Sequence, residues 1–184
     1  MKNIITFFSV AVIIMFFSVV LISTINSGGR QGKPGLNVIS GEVEVNLNNF
    51  VKIPPKNILG ESIKKQNVGQ EVIVIDFWAS WCPPCIKEAK VLAETSILWE
   101  DKNVRFIGIA LWDNEKSIKK FVDKNNIKYD ITIDQDGSTA IDYGVKALPE
   151  KFFISREGKI IKKYIGPIDA KLLNNILEEL TSSN

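Results

Sequence analysis

Histidine is absent from all 184 residues of this chain, and cysteine and methionine occur only twice each. The first absence removes several mechanisms together. Without imidazole there is no Cys–His or Ser–His nucleophile, no haem attachment of the Cys-x-x-Cys-His kind and no histidine ligand for zinc. Two thiols do not fill a zinc or copper site, so the expected metal is none, and nothing in the chain calls for an organic cofactor. A surplus of one charge sign is missing as well: 23 Lys and Arg against 21 Asp and Glu leave a net +2. Acids and bases alternate, as in Asp113-Asn114-Glu115-Lys116, which describes a solvated helix face and gives nucleic acid no footprint.

Near its start the chain has one long apolar run. Ile4 to Ile25 contains no charged residue and is dominated by Ile, Val and Phe behind Lys2. A bilayer is crossed by ~20 such residues. A cleaved signal peptide is the competing reading, but its apolar core runs about 7 to 15 residues before a small-x-small site. The nearest such site here is the weak Ser27-Gly28-Gly29. Residues 1–25 are therefore expected to be an uncleaved single-pass signal-anchor. Lys2 precedes the span and Arg30 and Lys33 follow it, so charge leaves the orientation open. A short N-terminal tail before one span commonly stays inside, which puts the rest of the chain on the extracytoplasmic side of the cell membrane. That is an oxidising setting in which a cysteine pair cycles. Residues 26–36, rich in Gly and Pro, read as a flexible linker, and 37–184 as one folded domain.

Within that domain Val38-Ile39 and Val43 to Leu47 have strand character around a Ser40-Gly41 turn, which predicts a small N-terminal β-hairpin. From Val72 strands and helices alternate. Val72 to Phe77 is a near-continuous apolar run, as in a strand covered on both faces. Pro84 to Trp99 is helical, Val104 to Ala110 a second buried strand, and Glu115 to Asn125 a second helix. Tyr129 to Ile133 forms a short strand and Ser138 to Tyr143 a helical turn closed by Gly144. A hairpin follows around Arg156-Glu157-Gly158, and Asp169 caps a last helix that runs to about Leu180.

Both cysteines lie in Trp81-Cys82-Pro83-Pro84-Cys85, at the junction of the first long strand and its helix. A Cys-x-x-Cys pair in that place reads as a redox site. Cys82 at the mouth of the helix gains from the helix dipole and is the expected attacking thiolate, and Cys85, one turn in, the resolving thiol. A merely stabilising disulfide is the weaker reading, since so small a ring removes little chain entropy. Pro83 and Pro84 lack N–H groups, so two donors to the Cys82 sulfur are missing. A less stabilised thiolate predicts a relatively reducing pair.

Two carboxylates lie near this motif. Glu88 follows Cys85 by three positions and shares its helix face with Leu92, Thr95 and Trp99. Asp76 lies near the end of the first buried strand and is expected to point toward the underside of the helix. Burial of either would raise its pKa toward neutrality and fit it to exchange a proton with Cys85. The alternative is an exposed Glu and a solvated strand-end Asp. Pro149, in Ala147-Leu148-Pro149-Glu150 ahead of another strand, stands where a cis bond can bring backbone up to the sulfurs.

These residues together resemble the thioredoxin fold, and within it the membrane-anchored TlpA/ResA/DsbE group. The resemblance covers about Phe50 to Leu180. It rests on Asp76 to Cys85, on Glu88, and on Tyr143-Gly144-Val145 leading to Leu148-Pro149-Glu150, Phe152-Phe153-Ile154 and Gly158. It implies an α/β thioredoxin-like domain with an N-terminal hairpin and a helical insertion, here Gly137 to Tyr143, behind a membrane helix. It also implies Cys82 as nucleophile, Cys85 as resolving thiol, Glu88 as the buried acid and Pro149 as a cis proline. Trp81 and Leu148 would border the client groove. Asp76 matches the buried acid of thioredoxin itself, where cytochrome-maturation members more often carry Asn.

The implied activity is a protein-disulfide reductase outside the cytoplasm. It would take electrons from a membrane thiol-disulfide donor and pass them to oxidised proteins such as apocytochrome c. A general disulfide oxidase or isomerase, or a tethered client-binding module with no redox role, are the competing readings. A peroxidase fits less well, because the motif suits dithiol exchange better than a lone peroxidatic cysteine.

Overall fold

The computed structural model describes residues 10–19, 21–22, 35–37, 40–43, 53–63 and 70–182. The chain divides into two units, Met1–Lys33 and Pro34–Asn184. In the first, residues 10–19 form a helix, α1, whose large apolar side chains, among them Phe16 and Phe17, are exposed. Among the described residues no helix is long and apolar enough to cross a membrane. Residues 4–9, 20 and 23–25 of the expected span lie outside the described residues.

The second unit is an α/β domain built on a six-stranded sheet. Its strands are β2 (Gly41–Val43), β3 (Val72–Trp78), β4 (Val104–Leu111), β5 (Asp130–Asp134), β7 (Glu150–Ile154) and β8 (Ile160–Ile165). The order across the sheet is β2-β8-β7-β3-β4-β5. β3, β4 and β5 run parallel, while β7 is antiparallel to β3 and β8 to β7. The helices are α2 (Pro83–Trp99), α3 (Glu115–Asn125), the short α4 (Ser138–Asp142) and α5 (Ala170–Ser182). β1 (Gly35–Leu36) pairs in parallel with β6 (Ala147–Leu148) as a separate two-stranded piece.

The apolar run in β3 is continuous because both faces of that strand are covered. Ile73, Ile75 and Phe77 join α3's Ile118 and Phe121 in one buried cluster. Val72 and Val74 join α2's Leu92 and Trp99 and α5's Leu173 and Leu177 in the other. Full burial of such side chains contributes about 1.5–3 kcal/mol each, which makes β3 the strand that fixes everything attached to its end. Gly108, beside Asp76 on β4, leaves room for core side chains: a Cβ there would lie 2.8 Å from Trp78 Nε1 and 2.6 Å from Ile131 Cδ1.

Helix ends follow the local chemistry of the sequence. Asn114 caps α3 by accepting the Ser117 amide at 2.9 Å, and Asp169 accepts the Leu172 amide at 2.9 Å ahead of α5. The hairpin through 156–158 forms as expected. Of the expected N-terminal hairpin only residues 40–43 are described, and the two described strands of this region do not pair with each other. β2 extends the sheet beside β8, and β1 joins β6. The partners are more than 100 residues away, so local turn chemistry does not select them. Gly35–Leu36, assigned by composition to the linker, is part of β1, while Val38-Ile39 and residues 44–47 lie outside the described residues.

Candidate active site

β3 delivers the motif and α2 receives it. After Trp78 the chain turns, with the Cys82 amide donating to the Ala79 carbonyl at 3.1 Å. Cys82 then serves as the N-cap of α2, extended at φ −89° and ψ 109°, with Pro83 and Pro84 as the first helical residues. Prolines fit there because the first-turn amides have no helical acceptor. The first amide available to the Cys82 sulfur is that of Cys85, at 3.3 Å, and the two sulfurs are joined as a disulfide.

The loop carrying Ser80 and Trp81 is fastened to the loop after β4. The Ser80 amide donates to Asp113 Oδ2 at 2.6 Å, and Trp81 Nε1 donates to the Trp112 carbonyl at 3.4 Å. Trp112 itself has φ +47° and its ring lies over Gly137. Sequence order ranks Cys85 as the deeper sulfur. In the oxidised protein the two are equally enclosed, with Cys82 at 0% exposure and Cys85 at 2%. Position on the helix, and not depth, is what distinguishes them.

Beneath the disulfide the structure brings Glu88 and Asp76 together through a residue that sequence reasoning passed over. Lys151 is fully buried; its ammonium pairs with Glu88 Oε1, lies 3.7 Å from Asp76 Oδ1 and donates to the Gly166 carbonyl at 3.0 Å. Glu88 Oε2 accepts the Ile168 amide at 2.8 Å. Burial outweighs these favourable contacts and pushes Glu88 up to about 8, with the Asp76 charge adding to the rise. Burial likewise raises Asp76, against the attraction of Lys151. A cleft of about 400 Å³, lined by Glu88, Lys87, Val91 and Ile168 among others, lies beside the carboxyl on the α2 side. The signal for Lys151 was one cation at the head of the apolar strand Lys151-Phe152-Phe153-Ile154.

The Leu148–Pro149 peptide is cis. Leu148 is fully buried, in the same apolar cluster as Cys82 and Cys85, so its side chain is not presented outward. Trp81 packs on that cluster and stays partly exposed. The segment before Pro149 is braced from within by Glu150, which sequence reasoning also missed. Its carboxylate accepts the amides of Lys146 and Ala147 at 3.2 and 3.3 Å and meets Lys163 Nζ at 2.7 Å. Lys163 in turn donates to the Gly144 carbonyl at 3.0 Å. Among the described residues no cluster of three or more Cys, Asp or Glu is arranged to hold a metal.

Comparison with known proteins gives this arrangement its company. The family model described as AhpC/TSA matches residues 47–163. The chain is 32% identical over 127 residues to the sporulation thiol-disulfide oxidoreductase A of Bacillus subtilis, covering 67% of this chain and 76% of that one. It is 29% identical over 122 residues to the thiol-disulfide oxidoreductase ResA of Bacillus cereus, covering 66% and 70%. Among solved structures it is similar to StoA from Bacillus subtilis, with 27% identity, a TM-score of 0.58, and coverage of 73% of this chain and 95% of that one.

Proposed function

The chain belongs to the AhpC/TSA family and is a thioredoxin-fold thiol-disulfide oxidoreductase working through Cys82 and Cys85, and from that premise we propose that it is a membrane-anchored reductase of protein disulfides outside the cytoplasm. The observation that carries the direction is the paired prolines at the start of α2, which leave the Cys82 sulfur one amide donor, that of Cys85. A thiolate so weakly supported gives a reducing couple. The apolar, exposed residues of α1 speak for the anchor, and apocytochrome c is the class of client that the resemblance favours.

The exchange runs in two steps. The Cys82 thiolate attacks one sulfur of the client disulfide, forming a mixed disulfide and expelling the other client sulfur as a thiolate, which takes up a proton. Cys85 then loses its proton to the Glu88 carboxylate and attacks Cys82 Sγ, which expels the second client sulfur as a thiolate and closes the Cys82–Cys85 bond. That thiolate takes up a proton from solvent, to which Glu88 returns its own. Two electrons and two protons pass to the client. Glu88, held near 8, lies far closer to the ordinary thiol range than a solvated carboxyl does. Asp76 and Lys151 set its charge, Pro149 and Trp81 border the sulfurs, and the donor that re-reduces the pair is a membrane dithiol.

The test is the reduction potential of the Cys82–Cys85 couple, equilibrated in defined thiol-disulfide buffers. A value below about −220 mV supports the reductase, and one above about −150 mV overturns it in favour of disulfide donation. The anchor is tested by fractionation: deletion of residues 1–25 is expected to release the protein from membranes.

A further inference from the structure

The edge of β6 next to Pro149 is already occupied, and by the chain itself. The Asn37 amide donates to the Leu148 carbonyl at 2.7 Å, and Asn37 Nδ2 donates to the Ala147 and Pro149 carbonyls at 2.9 and 3.0 Å. One asparagine thus holds three successive carbonyls on the segment that packs with Cys82 and Cys85. Gly35 approaches Ala147 so closely that a Cβ would lie 3.2 Å from the Ala147 Cβ.

We propose that Gly35–Asn37 is an intramolecular strap that occupies, in strand fashion, the backbone edge on which an extended polypeptide docks to bring its disulfide to Cys82. Three observations carry this. β6 has no sheet partner other than β1 among the described residues, so removing the strap exposes unpaired carbonyls. Such an edge is completed by any extended chain, because main-chain hydrogen bonds supply the affinity. The loop also has a second brace, in Glu150 and Lys163, besides the strap. Finally, Cys82 is fully enclosed and the strap is bonded to the segment that packs with it, so a client that opens this face meets the strap. β1 spans two residues behind a Gly/Pro-rich segment, which keeps the contact weak enough to exchange.

The inference rests on the reductase reading only in that the docking polypeptide carries a disulfide. Its test compares the full-length wild type in detergent with Asn37→Ala and Gly35→Val. Two substrates are used: an unfolded peptide closed by one internal disulfide, and hydroxyethyl disulfide, which has no peptide backbone. Both variants are expected to lower KM for the peptide about fivefold, the effect of roughly one hydrogen bond, with the hydroxyethyl disulfide rate unchanged. An unchanged or higher peptide KM overturns the proposal, as does a parallel fall in both rates, which would make the segment a structural brace. Hydrogen exchange supplies a readout free of turnover. Saturation with the same peptide bearing Ser in place of Cys is expected to deprotect the Asn37 amide. Unchanged protection there overturns the strap; deprotection in a protein that reduces neither disulfide sustains it while the reductase reading falls.

Discussion

Lys151 and Asp76 stand directly opposite one another on the antiparallel strands β7 and β3, and their charged groups meet at 3.7 Å inside the core. Glu88 on α2 reaches the same ammonium from above. One cation therefore ties the strand that precedes the cysteines, the helix that carries them and the strand that follows Pro149.

Removing that cation leaves two carboxylates facing each other without a counter-charge. Lys151→Met is expected to cost about 3–5 kcal/mol of stability at pH 8. The loss shrinks toward pH 5, because burial raises both carboxyls and they become neutral as pH falls. Adding Glu88→Gln to the same chain is expected to restore part of it. Urea unfolding of the oxidised proteins at the two pH values measures this, and a loss independent of pH would contradict it.

Glu88 itself makes stability depend on pH. Its folded pKa of about 8 lies above the ordinary 4.5, so between those values the folded state holds a proton that the unfolded chain has released. Stability then falls as pH rises through that window, with a slope approaching about 1.4 kcal/mol per pH unit. Glu88→Gln is expected to flatten the profile and to slow resolution of the mixed disulfide about a hundredfold. Parallel profiles for the two proteins would place the proton elsewhere.

Cys85→Ser is expected to stop the reaction after its first half. The variant attacks an oxidised client once and accumulates a covalent adduct through Cys82, visible by intact mass and reversed by dithiothreitol. Cys82→Ser is expected to give no adduct. Adducts through residue 85 instead would reverse the assignment of the two thiols.

Restoring amide donors at the start of α2 tests why the pair is reducing. Pro83→Ala and Pro84→Ala each return one N–H near the Cys82 sulfur. The double variant is expected to lower the Cys82 pKa by about one unit and to raise the reduction potential. Thiolate absorbance against pH and redox-buffer titration report the two quantities.

Gly137 has φ +77°, and a Cβ on it would lie 2.8 Å from Trp112 Cζ2. Gly137→Ala is expected to cost about 2 kcal/mol from backbone strain and displaced aromatic contact. It should also shift tryptophan fluorescence and weaken client binding at the rim. An unshifted emission spectrum would mean that the ring has room to move.

Much of the domain was legible because its signals are local. The β3 run, the Cys-x-x-Cys motif at its end, the caps at Asn114 and Asp169 and the hairpin at 156–158 each depend on neighbours a few positions away. Glu88 was legible for the same reason, since three residues along a helix is one turn. The pairing of the N-terminal strands was not legible, because Gly35–Leu36 and Gly41–Val43 find partners more than 100 residues later, and two or three residues of strand character do not say which.

The sequence by itself determined the chemistry: two thiols spaced for a reversible ring, no histidine, two prolines between the thiols and an acid one helical turn on. Only the tertiary structure decided the electrostatics. Whether Lys151 is a solvated strand residue or a buried counter-ion depends on which face of β7 meets β3 and α2, and that is fixed by strand register and sheet packing, not by neighbours in the chain. The same holds for Asn37, whose three carbonyl partners lie 110 to 112 residues away and meet it only when the chain has folded back on its own edge.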